Sequence, residues 1–142
     1  MSLFETGLLL VLDASLGMWL GSTILFSFIG APTTFDVLDD DAGEVVNAIF
    51  PKYYEFGEVL GFTAVFAAII AGSENALDSV AALTIGPLVL VALAATIYAN
   101  ARLVPKMGEP DDKRFAKYHK QSVLLNDVIM LAVASGLALS HL

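Results

Sequence analysis

The sequence predicts an all-α integral membrane protein: a four-helix bundle, N-out/C-out, with a short amphipathic helix in its first cytoplasmic loop. Three observations carry that expectation. Four apolar stretches, about 8–31, 53–72, 79–101 and 121–140, each reach the roughly 20 residues needed to cross a bilayer. Hydrophobic residues make up 57% of the 142-residue chain and the mean hydropathy is +0.76, more apolar surface than a soluble core can hide. All seven Lys and Arg residues (Lys52, Arg102, Lys106, Lys113, Arg114, Lys117 and Lys120) fall on the side opposite the N-terminus. By the positive-inside rule that side is cytoplasmic.

The elements follow in order. Helix one is a span and not a cleavable signal peptide: no basic n-region precedes it, its apolar run is too long, and it lacks a well-placed small-x-small site. It is expected to end at Gly30-Ala31-Pro32, where proline blocks continuation. Asp41-Ala42-Gly43-Glu44 has capping-box spacing, and Val45, Val46, Ile49 and Phe50 supply an apolar face behind it. A short helix along the inner membrane surface follows, which Pro51 breaks unless it opens helix two. The connection Ser73–Asp78 is short and polar, so helices two and three are antiparallel neighbours. Pro87, after Gly86, should kink helix three. The third loop holds Pro105, Gly108 and Pro110, and Lys113–Lys120 extends helix four into the cytosol, giving a helix over about 113–140. Tyr53, Tyr54, Tyr98 and Tyr118 map to the inner interface, where amphipathic rings settle. The whole chain, 1–142, forms a single domain.

Small residues mark where helices approach. Gly17-x-x-x-Gly21 on helix one and Gly57-x-x-x-Gly61 on helix two have the required spacing, and Ala132 and Gly136 repeat it on helix four. Membrane helices associate through such faces because lipid gives them no hydrophobic reason to pair. Packing inside one bundle is the preferred reading over a dimer face.

The net charge is −8, with acidic runs at Asp39-Asp40-Asp41 and Glu109-Pro110-Asp111-Asp112. Excess surface carboxylate keeps a protein hydrated at high salt, which points to a halophilic archaeal source. No basic face exists to meet phosphates, so nucleic acid is excluded as a partner. The chain has no cysteine and hence no disulfide, thiolate metal site or thiol nucleophile.

Polar residues inside the spans are the candidate site. Glu58, Tyr98, Asn100, His119 and Asn126 lie at similar depth in the cytoplasmic half, with Asp127 at their edge. His119, Ser122 and Asn126 share one face of helix four, since seven residues return to within about 20°. Intramembrane ionisable groups cost about 2.5–3.5 kcal/mol on insertion scales and therefore face the bundle. Two readings stand side by side: interhelical hydrogen bonding, and a ligand-binding site comprising Glu58, Tyr98, Asn100, His119, Ser122 and Asn126. Asp13, near the outer end of helix one, reaches water and carries no role.

The order of several blocks is telling. Phe28-Ile29-Gly30-Ala31-Pro32-Thr33-Thr34-Phe35, then Ile49-Phe50-Pro51-Lys52-Tyr53-Tyr54, then Phe115-Ala116-Lys117-Tyr118-His119 with Ser122 and Asn126, run across nearly the whole chain. In these the chain resembles the transmembrane protein 205-like family, domain of unknown function 4149. The resemblance implies a small four-helix membrane bundle, and its link to platinum-drug resistance in eukaryotes hints at export or metal handling.

The donor set argues against cofactors. His119 and His141 lie on one helix roughly 33 Å apart, so they cannot both ligate one haem. Met18, Met107 and Met130 are too scattered for copper. No catalytic Ser-His-Asp or His-Glu-x-x-His pattern occurs, so no cofactor, metal site or enzymatic activity is expected. The lipid bilayer is the expected partner, with a homo-oligomer or a larger membrane complex beside it. The functional expectation is small-solute or ion binding and transport through the polar cluster; the alternative is an accessory subunit packing through small-residue faces.

Overall fold

The computed structural model describes residues 2–38, 41–107 and 112–141, without the side chains of 107 and 112–116. Most of the two acidic runs, together with Gly108 and Pro110, lies outside the described residues. What is described is helical, with no strand among those residues. Helix one is Leu3–Val37, helix two Ala42–Ser73, helix three Ser79–Lys106 and helix four Asp112–Leu139. All four are long and apolar enough to cross a membrane, which makes this a multi-pass membrane protein. They form an up-down ring in which one packs on two, two on three, three on four and four on one. Leu10, Val59, Phe66, Leu83 and Leu131 are exposed around its perimeter, the signature of a surface that meets lipid.

Two expected breaks are absent. Helix one does not stop at Pro32; it continues as a regular α-helical turn over Ala31–Val37. The reason precedes the proline. Phe26–Gly30 is a π-helical turn, closed by the Ala31 N–H on the Phe26 carbonyl, and it changes the hydrogen-bond register just where the ring would meet the preceding turn. Helix three repeats the device: a π turn over Ala99–Leu103 directly precedes Val104-Pro105, and the helix runs on through the proline to Lys106. Both wide turns lie at the end of the bundle that carries Lys52 and Arg102, called here the basic end.

The amphipathic loop helix is also corrected. Residues 42–50 are the first turns of helix two, which passes through Pro51 unbroken to Ser73. Val46 and Phe50 are buried ahead of the proline and Tyr54 and Gly57 after it, all on one stripe. Burying two such side chains contributes about 1.5–3 kcal/mol each where they leave water, enough to offset roughly 3 kcal/mol for an interior proline. Asp41 makes no side-chain cap, because its αR backbone (φ −89°, ψ −6°) does not aim the carboxylate at the first turn. A closed capping box does occur at helix one, where Ser2 Oγ accepts from the Glu5 N–H and Glu5 Oε2 from the Ser2 N–H, both at 3.1 Å.

Helix two ends in a Schellman turn. Asn75 takes φ 59°, the Ala76 N–H bonds the Ala71 carbonyl at 2.8 Å, and the Asn75 N–H bonds that of Gly72 at 3.2 Å. Helix three then starts at Ser79 and runs back through Pro87.

The bundle interior has two apolar clusters. The larger holds Leu12, Leu16, Trp19, Ile85, Val89, Ile129 and Val133; the smaller, at the basic end, holds Ala31, Val46, Phe50, Ala99 and Leu103. Gly57 and Gly61 let the Trp19 indole lie against helix two: a Cβ on Gly57 would sit 3.1 Å from Trp19 Nε1, and one on Gly61 3.0 Å from its Cη2 and 2.7 Å from Leu93 Cδ1. Gly136 and Ala132 are buried on helix four. Gly17 and Gly21 are not part of this packing. Nothing stands within 4 Å of a Cβ on either, because their side of helix one turns away from the bundle.

Candidate functional site

Between the two apolar clusters lies a polar layer built by helices two and four, which face each other across the bundle. Tyr54 and Ser122 share a hydroxyl–hydroxyl hydrogen bond at 2.5 Å. The Tyr53 hydroxyl donates to Asn126 Oδ1 at 3.1 Å. Ser122 and Asn126 are one turn apart, so they stack on a single face and receive the two adjacent tyrosines. The tyrosines are held in turn by rings: Phe26 stacks on Tyr53 at 4.5 Å, and Phe50 on Tyr54 at 5.8 Å.

Beside this layer a cleft of about 250 Å³ opens between helices one, two and four. Its polar side is helix four, with His119, Ser122, Asn126 and Asp127. Helix two adds Phe50, and helix one closes the space with Phe26, Ser27, Phe28, Ala31, Pro32 and Phe35. The His119 ring packs edge-to-face on Phe35 at 5.9 Å and on Phe50 at 6.3 Å. Phe35 belongs to the part of helix one beyond Pro32, so the continued helix supplies one wall. π turns commonly mark functional positions, and here one contributes Phe26, Ser27 and Phe28.

The six sequence candidates therefore divide. His119, Ser122 and Asn126 share the cleft. Glu58 and Asn100 form a separate contact, the Asn100 amide donating to Glu58 Oε1 at 3.1 Å between helices two and three. Glu58 follows Gly57, which packs on Trp19, and one residue turns a helix by about 100°, so the carboxylate swings toward helix three. Tyr98 belongs to neither group. It is 50% exposed, since it lies two residues before Asn100 and leaves helix three on nearly the opposite side. Tyr53 and Tyr54, expected at the interface, are instead the inner partners of the site. The spacing Phe50, Tyr54, Gly57, Gly61 was the available signal, since steps of four, three and four trace one buried stripe. Ser27 and Phe35 gave no comparable sign.

At the opposite end Asp13 has partners after all. Ser140 Oγ donates to Asp13 Oδ1 and His141 Nε2 approaches Asp13 Oδ2, both at 3.1 Å, joining helix one to the end of helix four.

Fold and site together define a small multi-pass membrane protein with a hydroxyl-and-amide brace across its core and a half-aromatic cleft beside it. The family model described as Domain of unknown function (DUF4149) matches residues 14–115, and the chain belongs to that family. It is also 31% identical over 119 residues to an "Uncharacterized protein" of Aquifex aeolicus (strain VF5), covering 83% of this chain and 85% of the relative. That relative is bacterial and lends no support to a halophilic archaeal source. No solved structure matches.

Proposed function

We propose that the chain binds and moves a small solute or ion, using the cleft at Ser122 and Asn126 as its site. The observation that carries this reading is the cleft itself. An apolar space with a few convergent polar groups is the usual form of a small-molecule site, and this one abuts a braced polar layer within the membrane span. The distribution of Lys and Arg supports placing the basic end in the cytoplasm, both termini outside, in the cell membrane. The blocks at Ala31-Pro32 and at His119, Ser122 and Asn126 support a transmembrane protein 205-like member of the family. We read the role as non-catalytic. Four helices leave only a narrow path, so transport would run through an oligomer.

Reconstitution into liposomes tests this directly. Solid-supported-membrane currents across a panel of cations, anions and neutral polar solutes should show a response that Asn126→Ala and Ser122→Ala weaken together. A silent panel from monodisperse wild-type protein would sink the transport reading. The alternative, an accessory subunit, draws on Gly17 and Gly21, whose open face is free for another helix. Copurification of one partner at fixed stoichiometry, lost in Gly17→Leu, would favour it.

A further inference from the structure

The walls of the cleft have a chemical bias, and we infer that it takes a small ammonium-type cation with an apolar body, held by Asp127 and the surrounding phenyl rings. This rests on reading the cleft as a binding site. Asp127 stands exposed at the open rim of the cleft and is the one carboxylate lining it, and neither Lys nor Arg lines it among the described residues. It lies about 9 Å along helix four from residue 121, where the apolar stretch begins, at 1.5 Å per residue, and so inside the half of the span nearer the basic end. There it makes no hydrogen bond or ion pair with any described residue. A carboxylate at that depth is costly without a counter-charge, and a bound cation supplies one. An anion would meet the Asp127 carboxylate as a like charge.

The apolar side agrees. Phe26, Phe28, Phe35 and Phe50 line the cleft with four phenyl rings; Phe26 and Phe50 are stacked on Tyr53 and Tyr54, which leaves Phe28 and Phe35 as the rings whose faces could attract a cation. The Ser27 hydroxyl on the same wall is buried and has no hydrogen-bond partner among the described residues, so its oxygen is available to accept an ammonium N–H. At about 250 Å³ the space falls below the roughly 300–1,000 Å³ of sites for drug-sized ligands, which limits the occupant to a small amine. The ammonium could belong to a free amine or to a lipid headgroup.

Three probes of one shape and different charge separate the possibilities: benzylammonium, benzyl alcohol and benzoate, measured by equilibrium dialysis against the purified chain in maltoside detergent. Benzylammonium should bind saturably, at least tenfold tighter than benzyl alcohol, with benzoate excluded. Asp127→Asn should weaken benzylammonium about tenfold and leave benzyl alcohol unchanged. Glu58→Gln, which removes an intramembrane carboxylate outside the cleft, should bind like wild type and controls for a general loss of negative charge. Displacement of the probe by added phosphatidylethanolamine but not phosphatidylglycerol would assign the cation to a lipid headgroup; displacement by neither would assign it to a free amine. Equal displacement by both lipids, equal binding of all three probes, no binding of any, or an unaltered Asp127→Asn variant would overturn the inference. Tighter binding of the alcohol or the carboxylate at the cleft would overturn it while leaving the binding-site reading intact.

Discussion

The Tyr53 hydroxyl donates to the Asn126 side-chain carbonyl at 3.1 Å, tying helix two to helix four across the bundle. Its neighbour Tyr54 does the same with Ser122. Two such bonds one turn apart resist sliding as well as separation.

Removing one hydroxyl measures the brace. Tyr54→Phe keeps the ring against Phe50 and leaves the buried Ser122 hydroxyl unmatched. Membrane hydrogen bonds average about 0.6 kcal/mol, and an orphaned buried group costs about 1–3 kcal/mol, so a loss of about 1 kcal/mol is expected. The double variant Tyr54→Phe/Ser122→Ala should recover part of that loss in a detergent unfolding titration. Strict additivity of the two single changes would mean that the hydroxyls do not interact.

The glycines should rank by the space around them. A Cβ at Gly61 would lie 2.7 Å from Leu93 and 3.0 Å from Trp19, so Gly61→Ala is expected to cost about 1–3 kcal/mol through overpacking. Gly17→Ala meets nothing within 4 Å and gains helix propensity of about 1 kcal/mol in the isolated chain. If Gly17→Ala proves the more damaging in thermal stability, helix one has a partner that this chain alone does not supply.

Glu58 offers a contrast between charge and geometry. In Glu58→Gln the amide oxygen can still accept from Asn100, so stability should change by no more than about 0.5 kcal/mol. Currents through the cleft should be unaffected. Complete loss of transport in this variant would return Glu58 to the site and move the path to the contact between helices two and three.

Orientation is testable because the chain has no native cysteine. Single cysteines at Ser2 and Ser73 should react with an impermeant thiol reagent in intact cells, and one at Asp36 should react only after permeabilisation. Labelling of Asp36 alone would reverse the topology argued from the basic residues.

The number and order of the apolar helices could be read from the chain, because hydropathy marks four stretches of spanning length. Angle around the helix could not. Glu58 and Asn126 lie at similar depth, yet one residue of rotation separates the packed Gly57 from Glu58 and sends the carboxylate to a different neighbour. Prolines misled for a related reason. Pro32 and Pro51 weaken a helix locally, but a π turn ahead of one and burial on both sides of the other are tertiary compensations that propensity does not encode. Tyrosine is ambiguous by nature. Its hydroxyl is satisfied equally by interfacial water or by Asn126, and only the spacing of Phe50, Tyr54 and Gly57 favoured the inside.

The π turn at Phe26–Gly30 holds one residue more than the α turn it replaces, and the helix beyond keeps its phase because that residue is absorbed within the wide turn. One residue deleted within those five would convert the turn to α and leave Phe35 beside His119. One residue deleted between Pro32 and Phe35, where the winding is regular, would instead rotate Phe35 by about 100° and take a wall from the cleft. Deletions beyond the wide turn should thus alter ligand preference more than deletions inside it. The cleft's shape is set by a count of residues as much as by their identity.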